Sequence, residues 1–470
     1  MPIQLRDYQN TMIGGARDAL RRAQRVLLQA PTGAGKTVLA AYMIGQTSIR
    51  GESAWFLCHR AELVQQTSLT LSRFDIAHGI IAAGYAPLPA PVQVCSIDTL
   101  KNRLETLTAP RVAVVDEAHH SSAAGWARVI KWLTDAGTLI IGLSATPQRL
   151  DGVGLAEHFD AIVLGPAVAW LIEHGHLSPY MAFIPDVPDM RGVRRSMGDY
   201  SRSESAEKMS KPKLTGNIIH HWRTRACGKR TVGFAVNVAH SRHLADSFCA
   251  AGIPAAHLDG GTDKRDRRRI IEQYAAGELQ VLFNVSLFGE GFDLSAIAQT
   301  DVTIDCVIDA APTQSLALAL QRWGRALRPA PGKTAVLLDH AGNMLRHGFP
   351  DDERTWSLAG IDRKAANDNS PPPPVICEGC FNAIRRPLPP ACPHCGKSLK
   401  AKQQEIEVAE GELRAADEAA RESVRAKLKR EEQRARSIDE LAAIYARRGV
   451  SNPIGRAVAE FGSFRFRRHR

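Results

Sequence analysis

No uninterrupted apolar run among the 470 residues approaches the roughly 18 that a membrane-crossing helix needs, so no transmembrane span is expected. The opening Met1-Pro-Ile-Gln-Leu-Arg-Asp-Tyr8 lacks the apolar core of a secretory leader, which points to a cytoplasmic protein. No self-similarity appears at the periods of solenoid repeats. Acidic residues are in deficit, 49 Asp+Glu against 60 Lys+Arg, for a net charge of +11. That excess predicts a polyanionic partner, nucleic acid or an anionic membrane surface. Hydrophobic residues at 44% and charged residues at 23% match an ordinary soluble protein and exclude a disordered one. At about 100–200 residues per domain the chain holds two to four domains, large enough to bury cores without disulfides or metals.

The first lobe, residues 1–185, alternates helical patterns with short apolar runs at Val26–Ala30, Ala54–His59, Val92–Ile97, Val112–Val115 and Thr138–Leu143. This is the pattern of a parallel sheet built from βαβ units, with strands covered on both faces. A polar connector, 186–216, leads to a second lobe, 217–355, with runs at Thr231–Val236, Ala255–Leu258, Gln280–Val285, Val302–Ile308 and Thr334–Leu338. Two α/β lobes predict a cleft with ligand at the strand C-termini. A Pro-rich linker (356–374), a cysteine module (375–398), a polar helix (399–447) and a basic tail (448–470) follow. The helix gathers apolar residues only at Ile438, Leu441, Ile444 and Tyr445, too few for a long coiled coil, and reads as a solvated spacer.

Ala30-Pro-Thr-Gly-Ala-Gly-Lys-Thr37 stands between an expected strand and an expected helix. Gly33 and Gly35 allow the loop through Thr32 and Ala34 to wrap phosphate with backbone N–H groups and a helix N-terminus. Lys36 can reach the β- and γ-phosphates of ATP, and the Thr37 hydroxyl can ligate Mg²⁺. Ala30 departs from the usual pattern, which begins with Gly, and the bland alternative is a Gly-rich turn before a helix. The run Val112–Val115 ends in two acids: Asp116 can hold Mg²⁺, and Glu117 can orient and deprotonate an attacking water.

With a DEAH box at Asp116-Glu117-Ala118-His119, the chain resembles the superfamily 2 helicases and translocases. The resemblance covers about residues 4–340. Leu5-Arg-Asp-Tyr-Gln9 is similar to the family's adenine-reading segment, which implies nucleotide contacts for Arg6 and Gln9. Arg60, Glu62 and Leu63, then Cys95-Ser-Ile-Asp-Thr99, resemble strand-contacting motifs, implying nucleic-acid contacts for Arg60, Ser96 and Thr99. Ser144-Ala-Thr-Pro147 resembles the motif that couples hydrolysis to strand movement, implying that role for His119, Ser144 and Thr146. His257-Leu-Asp-Gly260 and Phe283–Asp293 look like second-lobe motifs, the latter implying a nucleic-acid contact at Asn284 and nucleotide contacts at Gly291 and Asp293. Gln321-Arg-Trp-Gly-Arg-Ala-Leu-Arg328 resembles the arginine-finger helix. GLSATPQRLDG and QRWGRALR are closest to the DNA-acting branch of TFIIH-type repair helicases and restriction-enzyme motor subunits; RNA-acting groups usually have His where Gln321 stands.

Phosphoryl transfer needs positive charge where the transition state spreads negative charge over the γ-oxygens. Arg325 and Arg328, three residues apart, share a face on a helix and can meet ATP from the side opposite Lys36; the alternative is a solvated basic face. Trp323 reads as packing. No nuclease carboxylate cluster accompanies these motifs.

Five of the nine cysteines, Cys58, Cys95, Cys227, Cys249 and Cys306, are scattered and read as reduced core residues. Cys377, Cys380, Cys392 and Cys395 form two C-x-x-C pairs, whose four thiolates suit tetrahedral Zn²⁺ in a small zinc ribbon. His394 is a less suitable ligand beside Cys395. The ribbon serves as a structural staple or as a surface for nucleic acid or a protein partner, a role also open to the C-terminal helix. The terminal arginines with Phe461, Phe464 and Phe466 either stack on bases or form a disordered basic tail.

The whole pattern predicts a monomeric ATP-driven DNA helicase or translocase with two RecA-like α/β lobes, a zinc ribbon and a helical tail. An RNA helicase of the same superfamily, or a non-hydrolysing ATP-switched adaptor on nucleic acid, are the alternatives.

Overall fold

The computed structural model describes residues 3–149, 152–185, 187–196, 199–285, 287, 294–360, 372–399, 429, 431–432, 435, 437–448, 450 and 452–466. The chain forms two compact units, Met1–Lys400 and Ala401–Arg470.

The first unit opens with seven strands: β1 (Arg25–Gln29), β2 (Ala54–Cys58), β3 (Gly79–Ile81), β4 (Val92–Ser96), β5 (Val112–Val115), β6 (Leu139–Ser144) and β7 (Ala161–Leu164). They pair in parallel in the order β3-β4-β2-β5-β6-β1-β7. Successive strand residues face opposite sides, and here both sides are covered. Leu28, Phe56, Val94 and Val114 pack with Met12, Ile44 and Leu63 of the helices Asp7–Leu20, Lys36–Ile49 and Ala61–Arg73. Leu27, Leu57, Val115 and Ile140 pack on the other side with Trp126, Val129 and Leu133 of the helix Ala124–Asp135. That two-sided burial is why these strands read as continuous apolar runs.

The chain then crosses to a second parallel sheet. Its first strand, β8 (Tyr180–Phe183), precedes a small antiparallel ribbon, β9 (Arg195–Ser196) with β10 (Asp199–Tyr200). The sheet is completed by β11 (Thr231–Ala235), β12 (Ala255–Leu258), β13 (Val281–Asn284), β14 (Cys306–Ala310) and β15 (Ala335–Asp339), in the order β12-β13-β11-β14-β15-β8. Because β8 pairs with β15, Tyr180 opposite Ala335, the expected first lobe ending at 185 already contributes an edge strand to the second sheet. The run expected as a strand at Val302–Ile308 becomes regular only from Cys306.

The cysteine module carries a short ribbon, β16 (Val375–Ile376) with β17 (Ala383–Ile384). It docks on the edge of the second sheet: Phe183 bridges Asn382, and Ile184 N–H donates to the Phe381 carbonyl at 2.9 Å. Residues 356–360, expected as the start of an extended linker, lie instead against the first lobe. Val153 bridges Gly360, and Ala156 N–H donates to Leu358 O at 3.0 Å. Residues 361–371 lie outside the described residues.

In the second unit the helix Ile438–Arg447, capped by Ser437 Oγ accepting from Glu440 N–H at 3.1 Å, packs on the helix Pro453–Phe466. Leu441, Ala442, Tyr445 and Ala457 are buried between them, and Tyr445 donates to Glu460 at 2.7 Å. The expected basic tail is therefore helical as far as Phe466, with Phe461 packed against this small core. The side chains of Phe464 and Phe466, and most of the expected polar helix before Ser437, lie outside the described residues. Among the described residues no helix is long and apolar enough to cross a membrane.

Candidate active site

The first sheet's strand order sorts the motifs. β1 runs into the loop 30–35, β5 into Asp116-Glu117, and β6, which lies between them, into Ser144-Ala145-Thr146. β2 and β4, on the far side of β5, end at Cys58 and Ser96 and deliver Arg60, Ser96 and Thr99.

In the loop, Gly33 (φ 89°) and Gly35 (φ 81°) adopt the left-handed conformation, which other residues resist. A β-carbon on Gly33 would stand 2.8 Å from Leu177 Cδ2, and one on Gly35 2.6 Å from Gln9 Nε2. The Ala34 carbonyl accepts from Tyr8 Oη at 2.9 Å and Gln9 Nε2 at 3.2 Å, and its N–H donates to Pro31 O at 3.1 Å. Ala34 thus shapes the loop, with both backbone groups engaged inside the protein. Gln9 Oε1 accepts from Arg6 N–H at 3.0 Å, capping its own helix. Lys36 Nζ donates to Ala30 O at 3.2 Å.

Lys36, Thr37, Asp116 and Glu117 line a cavity of about 910 Å³ together with Gln321, Arg325 and Arg328 of the second lobe. Arg6, Gln9, Thr32, Gly33 and Gly35 line it too. Burial lowers the Lys36 pKa; Glu117 and Asp116 oppose that shift, while Arg325 and Arg328 add to it across the lobe boundary. Burial, then the neighbouring Glu117 charge, pushes Asp116 up to about 7. A site of this polarity is suited to a magnesium-bound polyphosphate, whose cation would sit with the carboxylates and whose anion with the lysine and arginines.

Glu117 is 6% exposed, and His119 Nδ1 lies 3.4 Å from its Oε2. Ser144 Oγ lies 3.5 Å from the same nitrogen and donates to Thr146 O at 2.6 Å. The expected coupling residues are therefore brought together behind the acid.

In the second lobe Gln321 is 2% exposed and, among the described residues, neither end of its amide has a hydrogen-bond partner. The arginines do not share a helix face as expected: the helix Leu316–Gly324 ends before them, Arg325 caps it, and both lie on the following turns. The helix end touches the loop, since a β-carbon on Gly324 would stand 2.6 Å from Thr32 Cβ. Trp323 is packing, as expected, buried with its Nε1–H on Asp309 at 3.0 Å. Asn284 does not offer itself to nucleic acid: it is fully buried and donates to Gly233 O at 2.9 Å, tying β13 to β11. That hydrogen bond offsets the cost of burying its amide. Gly291 and Asp293 lie outside the described residues. Residues that the motifs did not reveal are Ser178, Lys333 and the ion pair between Glu62 of the first lobe and Arg267 of the second, 2.7 Å apart. Arg267 sits in the run Lys264-Arg-Asp-Arg-Arg-Arg269, where its sequence neighbours hide it.

The four module thiols lie within 4.8 Å of one another, with Sγ separations of 3.7 Å for Cys377–Cys395 and 3.6 Å for Cys380–Cys392. A tetrahedron with Zn–S bonds of about 2.3 Å has sulfur edges of about 3.8 Å, so the donor set fits zinc. Against the upward pull of burial, N–H groups of Cys395 and His394 bring the Cys392 thiol down to about 6. The His394 ring is engaged elsewhere, its Nε2 accepting from Arg225 at 2.8 Å.

Two family models match the chain, "Type III restriction enzyme, res subunit" over residues 2–149 and "Helicase conserved C-terminal domain" over 211–330. A 51.5 kDa protein of a Lactococcus phage (isolate 7-9) is 32% identical over 330 residues, 70% of this chain and 68% of its own length. The DNA 3'-5' translocase XPB2 of Sulfurisphaera tokodaii is 23% identical over 386 residues, covering 72% of this chain. The chain spans 81% of that relative's length but 49% of a Saccharomyces cerevisiae helicase relative. In structure it is similar to the ATP-dependent Type ISP restriction-modification enzyme LlaBIII bound to DNA, with a TM-score of 0.52 and 15% identity over 72% of this chain and 28% of that one. The chain belongs to the superfamily 2 helicase family of ATP-hydrolysing enzymes.

Proposed function

We propose that this chain is a DNA-stimulated ATPase that moves along or opens DNA. The observation that carries the reading is the single cavity in which Lys36 and the Asp116-Glu117 pair meet Gln321, Arg325 and Arg328 from the other lobe. In it Lys36 grips the β- and γ-phosphates, and Thr37 and Asp116 would hold Mg²⁺, which would supply charge neutralisation when bound. Arg6 and Gln9 border the base. Glu117, steadied by His119, takes the proton from the attacking water. Gln321, buried and with no partner for its amide among the described residues, supplies hydrogen bonds to the water or the γ-phosphate, and Arg325 and Arg328 meet the charge that develops there. Phosphate release removes the anion both lobes hold, so the cleft relaxes, and His119, Ser144 and Thr146 pass that change to β6. Arg60, Ser96 and Thr99 contact the nucleic-acid backbone.

DNA is favoured over RNA by Gln321 in the last motif and by the names of the relatives that act on it. The ribbon binds one Zn²⁺ through Cys377, Cys380, Cys392 and Cys395 and acts as a staple on the second lobe, a role supported by its docking on β8. The protein works as a monomer in the cytoplasm, where the five cysteines outside the ribbon stay reduced.

Steady-state ATPase assays with single-stranded, duplex and forked DNA and with RNA test the assignment. DNA is expected to stimulate most, and Lys36→Ala or Glu117→Gln to lower turnover at least about 100-fold. Wild-type turnover in either variant removes those roles, and stimulation by RNA alone replaces the substrate.

A further inference from the structure

We propose that Lys333 and Ser178 are positioning residues for the Arg328 finger, jointly holding its backbone carbonyl so that the guanidinium meets the nucleotide in one preset geometry. This rests on the role given above to Arg328.

The arm that carries Arg328 has no helix to stiffen it. After Gly324 the chain runs through turns to Arg328 and on along Pro329-Ala330-Pro331, and these last four residues line the cavity of about 910 Å³. Gly332, at φ 64°, allows the chain to reverse, and Lys333 N–H donates to Ala330 O at 3.2 Å. The reversal folds the lysine back, and its Nζ donates to Arg328 O at 2.8 Å. From a distant segment of the chain Ser178 Oγ donates to the same oxygen at 3.1 Å, and Ser178 N–H donates to Leu327 O at 2.8 Å. A carbonyl oxygen accepts two hydrogen bonds, so this one is saturated and the arm is pinned at consecutive residues.

Ser178 stands where the chain crosses between lobes, just before β8. Its neighbour Leu177 abuts Gly33 of the phosphate loop, and the Arg328 Cγ lies 4.0 Å from where a Gly33 β-carbon would be. The crossing segment thus touches the loop that holds the phosphates and the arm that brings the finger. A lysine is a costly choice for a merely structural tie, because it is half-buried beside two cations. Burial lowers its pKa to about 8; Asp305 opposes the shift, and Arg328 and Lys229 add to it. The ammonium is therefore charged below about pH 8 and loses its proton above. A charge-assisted hydrogen bond is roughly twice as strong as a neutral one, so the clamp weakens as pH rises.

The experiment measures kcat and KM for ATP on the full chain at saturating DNA between pH 6.5 and 9.5. Lys333→Met is expected to lower kcat about tenfold with KM for ATP within about twofold, since the finger acts mainly in the transition state. Ser178→Ala should lower kcat about threefold, the scale of one neutral hydrogen bond. Wild-type kcat should decline above pH 8, and Lys333→Arg, which stays charged, should keep its neutral-pH rate and lose that decline. Arg328→Ala separates the two readings. If it turns over like wild type, the finger assignment fails. If it is crippled while Lys333→Met keeps both the wild-type kcat and the wild-type pH profile, the positioning inference fails. Should Lys333→Met not fold, the Lys333→Arg profile decides: an alkaline decline identical to wild type overturns the proposal.

Discussion

Ala30 takes the place of a glycine because its backbone needs no special freedom. It extends the strand, donating to Ser144 O at 3.0 Å, and the left-handed turns fall later, at Gly33 and Gly35. Glu117 is the reverse case, a β-carbon-bearing residue held at φ 47°, a conformation costing of order 1 kcal/mol that persists where surroundings enforce it. Burial also governs His340, fully enclosed with neither ring nitrogen hydrogen-bonded among the described residues and lowered to about 3 by burial, then by His221. A histidine depressed in the folded state contributes stability above its unfolded pKa and loses it as pH falls toward the folded value. Between about pH 6.5 and 4 it should cost up to about 1.4 kcal/mol per pH unit. Urea unfolding of wild type and His340→Phe across that range checks this: the variant's stability should fall less steeply, and parallel curves would reject the assignment.

The cysteine ribbon illustrates how a small element braces a larger one. Arg385 pairs with Asp351 and Asp352 and lies 4.3 Å over the Phe349 ring, while Arg225 reaches the Cys380 carbonyl at 3.3 Å. With β8 between them, the module and the second sheet support each other. Zinc analysis is expected to return one metal per chain, lost on Cys377→Ser with Cys380→Ser. Chelation should also speed amide exchange at Ile184, whose N–H is held by Phe381. An Ile184 amide equally protected with and without metal would show that the staple role is wrong.

Across the whole first unit, the lobes meet through several different ties. Gly324 packs on Thr32, Leu358 packs against the first-lobe core cluster that includes Leu155 and Phe159, and Arg267 spans to Glu62. Arg267 also donates to the Asp259 carbonyl at 3.2 Å, so its guanidinium is preorganised for the pair. A double-mutant cycle with Glu62→Ala and Arg267→Ala, read in kcat/KM for ATP with DNA, should give a coupling of about 0.5–1 kcal/mol for this partly exposed pair. Strictly additive effects would mean the pair plays no part in closure.

Much of this was legible in the amino-acid order, because the chemistry of a strand covered on both faces and of a phosphate loop is local. Val112–Val115 followed by Asp116-Glu117, or Val26–Ala30 followed by two glycines, lysine and threonine, announces itself within ten residues. Contacts between distant segments carry no such mark. β8 is only four residues long, so nothing in Tyr180–Phe183 says which sheet it joins. Asn284 reads as a polar motif residue until Gly233 is seen to claim its amide, and Lys333 is one lysine among many until its ammonium is found on the Arg328 carbonyl. The sequence alone determined that the phosphate loop and the Asp116-Glu117 pair follow strands and that four cysteines fall in two close pairs, since those depend on local pattern. Only the tertiary structure decided which partners hold them in place, because a hydrogen bond between residues as far apart in the chain as Ser178 and Arg328 depends on β8 pairing with β15 in the second sheet.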